Sequence, residues 1–206
     1  MMNGSAGELP ALRPTSKQRL LNTAARLFST RGINSTGIDV VIAEAGVSKG
    51  SMYHHFAGKQ ALVIAYLQAQ IIGWQNSVET ADQATSSSAE RIAAMFAVLA
   101  DAVDHGTFHG CPFTSAAIER PDDPEIREVI AAYRHTVGDH IRVLLDNRNS
   151  PSLVSMLMVL YDGATTAAKL TGNSSDVRIA SQLAQQLVAD TVTDPAALAS
   201  PGLQFQ

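Results

Sequence analysis

The sequence predicts an all-α protein: an N-terminal three-helix helix-turn-helix domain followed by a C-terminal helical domain. Two observations carry this. Apolar residues recur at offsets of three and four along most of the chain, the period of a helix with one buried face. No segment alternates apolar and polar residues between turn signals, as a half-buried strand does. A composition of 46% hydrophobic and 17% charged residues suits a substantial core, and no internal repeat points to a solenoid.

The elements follow in order. Residues 1–14 hold Gly, Ser and two prolines without periodicity and read as a disordered arm. From Thr15 the pattern turns helical, with Leu20, Ala24, Leu27 and Phe28 on one stripe, Thr15 or Ser16 as cap and Arg31-Gly32 as the stop. Thr36, three residues before Asp39, resembles a capping box with the shorter acid, opening a short helix that turns Ile38, Val41 and Ile42 inward. Ala45-Gly46-Val47-Ser48 reads as a tight turn in which Gly46 takes positive φ, Val47 plugs the core and Ser48 caps a second short helix. A longer helix starts at Gly58-Lys59 with Leu62, Ala65, Tyr66 and Ala69 on its apolar side.

Further helices are predicted over 88–104, through Ile92, Met95, Phe96, Leu99 and Val103, and over 124–147, through Ile126, Ile130, Tyr133, Val137, Ile141 and Leu144. Two more span 151–171, entered through Pro151, and about 175–191, separated by Gly172-Asn173. The stretch 194–206, with prolines at 195 and 201, reads as a flexible tail. The domains expected are 15–60 and 61–193.

No apolar run approaches the roughly 20 residues of a membrane span, and the N-terminus has no basic patch followed by an apolar stretch, so no signal peptide is expected. One cysteine leaves no internal disulfide and fits a cytoplasmic protein. The formal net charge is −4, but it is unevenly spread. Residues 15–59 carry six Lys and Arg against Asp39 and Glu44, a net of +4, whereas 60–206 carry eight bases against sixteen acids, a net of −8. A basic head on an acidic body suits one end that meets phosphate.

Two short helices joined by a glycine-bearing turn and braced by a preceding helix make a helix-turn-helix, whose second helix enters the major groove. Between Val47, Met52 and Phe56, that helix presents Lys49, Gly50, Ser51, Tyr53 and His54. Gly50 permits close backbone approach, Lys49 and Ser51 reach base edges or phosphates, and Tyr53 and His54 suit phosphate oxygens. Ser48 stands at its cap, and Thr36 and Lys59 place donors at two further helix starts. An ordinary three-helix bundle with a solvated face is the competing reading of the pattern alone.

The string Thr36-Gly37-Ile38-Asp39-Val40-Val41-Ile42-Ala43-Glu44-Ala45-Gly46-Val47-Ser48-Lys49-Gly50-Ser51-Met52-Tyr53-His54-His55-Phe56, with Lys59 and Leu62, closely resembles the signature of the TetR family of transcriptional regulators. The lead-in Ala24-Ala25-Arg26-Leu27-Phe28 and Gly32 resembles it too, so the match covers residues 15–62. Met52 stands where Leu or Ile is usual, and Gln60 where an acid is frequent. The resemblance implies recognition through Lys49, Gly50, Ser51, Tyr53 and His54, with Thr36 and Lys59 on phosphates. It also implies about nine helices, with 15–60 binding DNA and 61–193 binding ligand and dimerising, and a homodimer in which helices 151–171 and 175–191 pair with a second subunit, with Gly163, Ala164, Ala167, Ala168, Ile179, Leu183 and Leu187 suited to close packing there or within the monomer. A ligand-relieved repressor of a palindromic operator on double-stranded DNA follows, with a small organic effector; activation is the alternative.

The implied effector cavity draws on Trp74, Phe96, Leu99, Phe108, His109, Cys111, Phe113, Tyr133, Leu157 and Tyr161, each of which also suits plain core. Gly110-Cys111-Pro112 is similar to a TetR subgroup with small organic effectors. The stretch from Asp104 to Phe113 has three readings: a loop and helix start lining an apolar pocket, a metal site of His105, His109 and Cys111, or a redox-sensitive Cys111. Gly106 and Gly110 break the helix that would fix metal spacing, and no Lys or Arg lies within eight residues of Cys111. No metal or other cofactor is therefore expected. An enzyme built on His105, His109, Cys111 and Glu119, or a helical adaptor without DNA binding, are the rival classes; no catalytic string supports the first, and Lys49, Tyr53, His54 and Lys59 oppose the second.

Overall fold

The computed structural model describes residues 13–82, 87–146 and 150–193. Within them the chain is wholly helical: α1 Ser16–Arg31, α2 Ile38–Ala45, α3 Lys49–His55, α4 Lys59–Asp82, α5 Ser88–Asp104, α6 Pro112–Glu119, α7 Pro124–Leu144, α8 Pro151–Thr171 and α9 Ser175–Thr193. Residues 1–12 of the expected arm over 1–14, the tail over 194–206 and the last residue of the expected 124–147 helix lie outside the described residues. Contacts divide the chain into two compact units, Met1–Val63 and Ile64–Gln206.

In the first unit, α1 packs on both α2 and α3. Thr15 caps α1 through a complete capping box: its hydroxyl accepts the Gln18 N–H, and the Gln18 side chain accepts the Thr15 N–H. Such a cap stabilises a helix by about 1 kcal/mol. Leu20, Ala24, Leu27 and Phe28 are buried, with Val41, Ile42, Ala45, Met52 and Phe56 completing the core.

Two local expectations need correction. Thr36 does not cap α2; the N-cap is Gly37, with no side-chain bond. The Thr36 hydroxyl instead donates to the Gly32 carbonyl at 2.7 Å, and the residue is 2% exposed. A buried hydroxyl takes the nearest carbonyl rather than remain unpaired. Val47 is only half-buried, so Met52 and Phe56 act as the plugs.

In the second unit, α9 lies along α5 and α8, while α7 packs on α5, α6 and α8. Ile92, Met95, Phe96, Ile126, Ile141, Leu144, Leu157 and Val177 form the deepest layer. Helix α4, whose residues up to Val63 belong to the first unit, buries Leu62, Val63, Tyr66 and Leu67, while Ala69 is exposed, so its apolar stripe is rotated from the one expected. Helix α6 is a two-turn helix entered through Pro112, where only a helix start was expected; proline at the first helical position costs no hydrogen bond there. Helix α7 stops at Leu144, with Asp146 at φ 52.

Candidate nucleic-acid interface and ligand cavity

Helix α3 has seven residues, too few to hold its shape without tertiary support. Its own buried face and the residues around it hold it. The Ser48 hydroxyl caps it by accepting the Ser51 N–H at 3.1 Å. Met52 is fully buried, and Phe56 is buried at its end. Gly46, left-handed at φ 61, ends α2 and receives no competing side chain, which reverses the chain toward Ser48. Arg19 of α1 then clamps the turn: its Nε donates to the Ala45 carbonyl at 3.1 Å and a terminal nitrogen to the Gly46 carbonyl at 3.5 Å.

With Met52 inward, the helical period turns Lys49, Gly50, Tyr53 and His54 outward, and Tyr53 is 49% exposed. Ser51 is half-buried, and Ser48 is exposed at the cap. Lys59 donates through Nζ to the Asn34 carbonyl at 3.4 Å. Thr36 departs from this group, because its hydroxyl faces inward.

The basic charge of this unit is partly committed internally. Arg26 and Arg31 both pair with Glu44, the second at 3.4 Å. The hydrogen bond from Arg26 holds the Glu44 carboxyl below the usual range, against the opposing effect of desolvation. On the outward surface, Lys49 Nζ lies 3.3 Å from Asp39, both well exposed.

A separate cavity of about 260 Å³ lies in the second unit. Seven of the residues expected to line it do so: Trp74, Leu99, Phe108, Cys111, Phe113, Tyr133 and Tyr161. Phe96 and Leu157 are instead fully buried core, with Phe96 packed edge-on against Tyr161 at 5.4 Å between centroids. His109 is exposed and outside the lining. The lining also includes Gln70, Gly73, Ser77, Val98, Ala102, Pro112 and Thr165. Three of these flank Trp74 at positions −4, −1 and +3, so the helical period around that tryptophan was a usable signal.

The cavity wall is an aromatic cluster. Phe113 stacks on Tyr133 with centroids 3.7 Å apart at 10°, and Trp74 meets Tyr133 and Tyr161 edge-to-face at 6.0 and 6.4 Å. Trp74 Nε1 donates to the Tyr161 hydroxyl at 3.0 Å. Burial, foremost, pushes the Tyr161 phenol up to about 12 and raises that of Tyr133 well above its ordinary value; the nearby Cys111 and Asp162 add to both. Arg134 and Asp162 pair with each other.

His105, at the end of α5, faces the Asp101 carbonyl through Nδ1 at 2.7 Å. Among the described residues no three His, Cys, Asp or Glu side chains converge as metal ligands would. Gly110 has φ 109, and a Cβ there would lie 3.2 Å from the Lys169 stem. A cation of α8 is therefore brought beside the residue preceding Cys111, which distance along the sequence hid. No described helix is long and apolar enough to cross a membrane.

Comparison with known proteins places this geometry. Residues 20–66 match the family model described as bacterial regulatory proteins, tetR family. Over 87% of this chain and 95% of the other, the fold superposes on a TetR-family transcriptional regulator from Streptomyces coelicolor, with a TM-score of 0.73 and 31% identity. The reduced form of NemR from Escherichia coli shares the fold at TM-score 0.72 and 24% identity, covering 83% of this chain and 95% of that one. Among curated proteins, the transcriptional activator FasR of Mycolicibacterium smegmatis is 31% identical over 50% of this chain and 46% of its own length. The transcriptional repressor KstR2 of the same organism is 29% identical over 48% of this chain and 49% of its own. The chain thus spans about half the length of these curated relatives.

Proposed function

Because the chain belongs to the TetR family of transcriptional regulators, we propose that it is a homodimeric repressor that releases a near-palindromic operator when a small organic molecule fills its cavity. The observation that carries this reading is the outward face of α3, where Lys49, Gly50, Tyr53 and His54 stand over the buried Met52. We assign residues 15–60 to DNA binding and 61–193 to ligand binding and dimerisation. Lys49, Gly50 and Ser51 approach base edges, and Tyr53, His54 and Lys59 take phosphates, contacts that set register.

Dimerisation is supported by an apolar groove outside the monomer core. Ser155, Met156, Val159 and Leu160 of α8 and Leu183 and Leu187 of α9 line it, and Val159, Ile179 and Leu183 are exposed. The small residues of α8 divide between two faces: Ala164 and Ala168 are buried in the monomer, while Gly163 is exposed. A two-fold partner on this face sets two recognition helices about one DNA turn, or a multiple, apart.

Coupling runs through α4, one unbroken helix from Lys59 to Asp82. Its residues Gln70, Gly73, Trp74 and Ser77 line the cavity, so a ligand that prefers one setting of this helix shifts the population of DNA-competent dimers. The shift is limited to the ligand's differential affinity for the two states, typically about 1–3 kcal/mol.

The test is a gel shift on the DNA upstream of the coding sequence across a salt series. Tight binding to a palindromic segment, weakening steeply with salt, is the expected result. Indifference to that segment beyond non-specific DNA at low salt contradicts the reading.

A further inference from the structure

We propose that the cavity of the second unit takes an uncharged, one- to two-ring aromatic compound carrying a carbonyl-type hydrogen-bond acceptor, which Tyr133 and Tyr161 bind as paired donors. The inference rests on the regulatory reading only in treating this cavity as the effector site.

Size sets the first limit. The cavity measures about 260 Å³, and an apolar cavity of about 150 Å³ holds benzene, so about ten to fourteen non-hydrogen atoms fit. Charge sets the second. No Asp, Glu, Lys or Arg lines the cavity, and the nearby Arg134 and Asp162 are engaged with each other. An ion leaving water for this space meets no free counter-charge.

The two phenols of the lining set the third limit, and both present a donor; the Ser77 and Thr165 hydroxyls already donate to the Gly73 and Asp162 carbonyls, and Gln70 carries both a donor and an acceptor. Tyr133 is 6% exposed, lines the cavity and has no hydrogen-bond partner among the described residues. Tyr161 accepts from Trp74 Nε1, which leaves its own hydroxyl proton to donate. Both phenols keep that proton throughout the physiological range, because burial raises their pKa values. Two buried donors on an aromatic wall call for an acceptor attached to a ring that can pack against Trp74 and Phe113. A purely hydrocarbon ligand would leave the Tyr133 hydroxyl unpaired under a lid of apolar surface.

Trp74 is the chain's one tryptophan, so its fluorescence reports occupancy. The probes are propiophenone, propylbenzene, in which a methylene replaces the carbonyl, and phenylacetate, an anion of similar size. Propiophenone should perturb Trp74 saturably. Propylbenzene and phenylacetate should bind at least about 5-fold more weakly, as expected when a buried hydrogen bond is lost or a charge is desolvated. Tyr133→Phe, which retains the stacked ring, should weaken propiophenone binding by about 5-fold. Tyr66→Phe, a buried tyrosine outside the lining, should leave it unchanged. Phenylacetate binding as tightly as the ketone, an unchanged ketone affinity in Tyr133→Phe, or no saturable response overturns the proposal. A ketone that saturates in a protein that ignores its upstream DNA upholds this inference and overturns the regulator reading. Operator binding without a ketone response does the reverse.

Discussion

The indole N–H of Trp74 reaches the phenol oxygen of Tyr161 at 3.0 Å, tying α4 to α8 across 87 residues of chain. Removing the oxygen strands a donor in a mostly apolar wall. Tyr161→Phe should cost about 1–3 kcal/mol in urea denaturation and shift the Trp74 emission. Unaltered stability and emission would mean that water replaces the phenol without loss.

Met52 and Tyr53 are neighbours with opposite duties. Met52→Ala empties a fully buried site and should destabilise the first unit by about 2–5 kcal/mol. Tyr53→Ala should change stability by no more than about 0.5 kcal/mol, as exposed substitutions do, yet abolish the operator shift. Tyr53→Ala retaining wild-type operator affinity would remove Tyr53 from the interface.

Lys49 meets Asp39 at 3.3 Å on an exposed surface, so binding a phosphate means exchanging one anion for another. Asp39→Asn should leave stability nearly unchanged, because exposed ion pairs contribute about 0–1 kcal/mol. It should also raise affinity for non-specific DNA several-fold, by fluorescence anisotropy across salt, as one more cation becomes available to displace counterions. An unchanged affinity would indicate that Lys49 makes no phosphate contact even when freed from Asp39.

Dimerisation through α8 and α9 predicts that Val159→Glu with Leu183→Glu yields a folded monomer by analytical ultracentrifugation, with operator affinity lost. Both side chains are exposed in the isolated chain, so helicity should persist. A dimer surviving both charges would place the interface elsewhere.

Alkaline pH should expose the buried phenols. Tyr66 and Tyr161 are raised from 10 to about 12 and Tyr133 is also raised, burial being the largest cause in each. A phenol with a folded pKa above its unfolded value contributes stability present in full below pH 10 and lost as pH rises toward 12. Thermal midpoints should therefore fall across that interval, with phenolate absorbance appearing together with unfolding. These three tyrosines ionising while the helices stay intact would contradict their burial.

Much of the architecture is legible in the sequence. Helices over 88–104 and 151–171 have the expected limits because caps and prolines mark their ends. The outward set on α3 follows from helical phase once Met52 is inside. What escaped the sequence depends on the third dimension. Thr36 has the composition of a cap, but a carbonyl one turn back claims its hydroxyl. Phe96 and Leu157 share the character of cavity-lining residues, and only packing separates wall from core. The sequence leaves Ile179 and Leu183 open between a second subunit and the monomer core, and the fold decides it: Val177, Ala180, Ala184 and Val188 hold the inner face of α9, and Ile179 and Leu183 are exposed. Lys169 reaches Gly110 only because α8 folds back against the loop before α6.

Arg19 illustrates how such geometry shapes genetics. Counted among the head's cations, it would be taken for a DNA ligand, yet its guanidinium is occupied by the carbonyls of Pro14, Ala45 and Gly46. If the chain acts as the proposed repressor, a screen for lost repression should recover Arg19 alongside Lys49 and Tyr53, for an unrelated reason: the turn between α2 and α3 would come loose. Raising protein dosage or lowering growth temperature should rescue such an allele, and neither should rescue a missing contact.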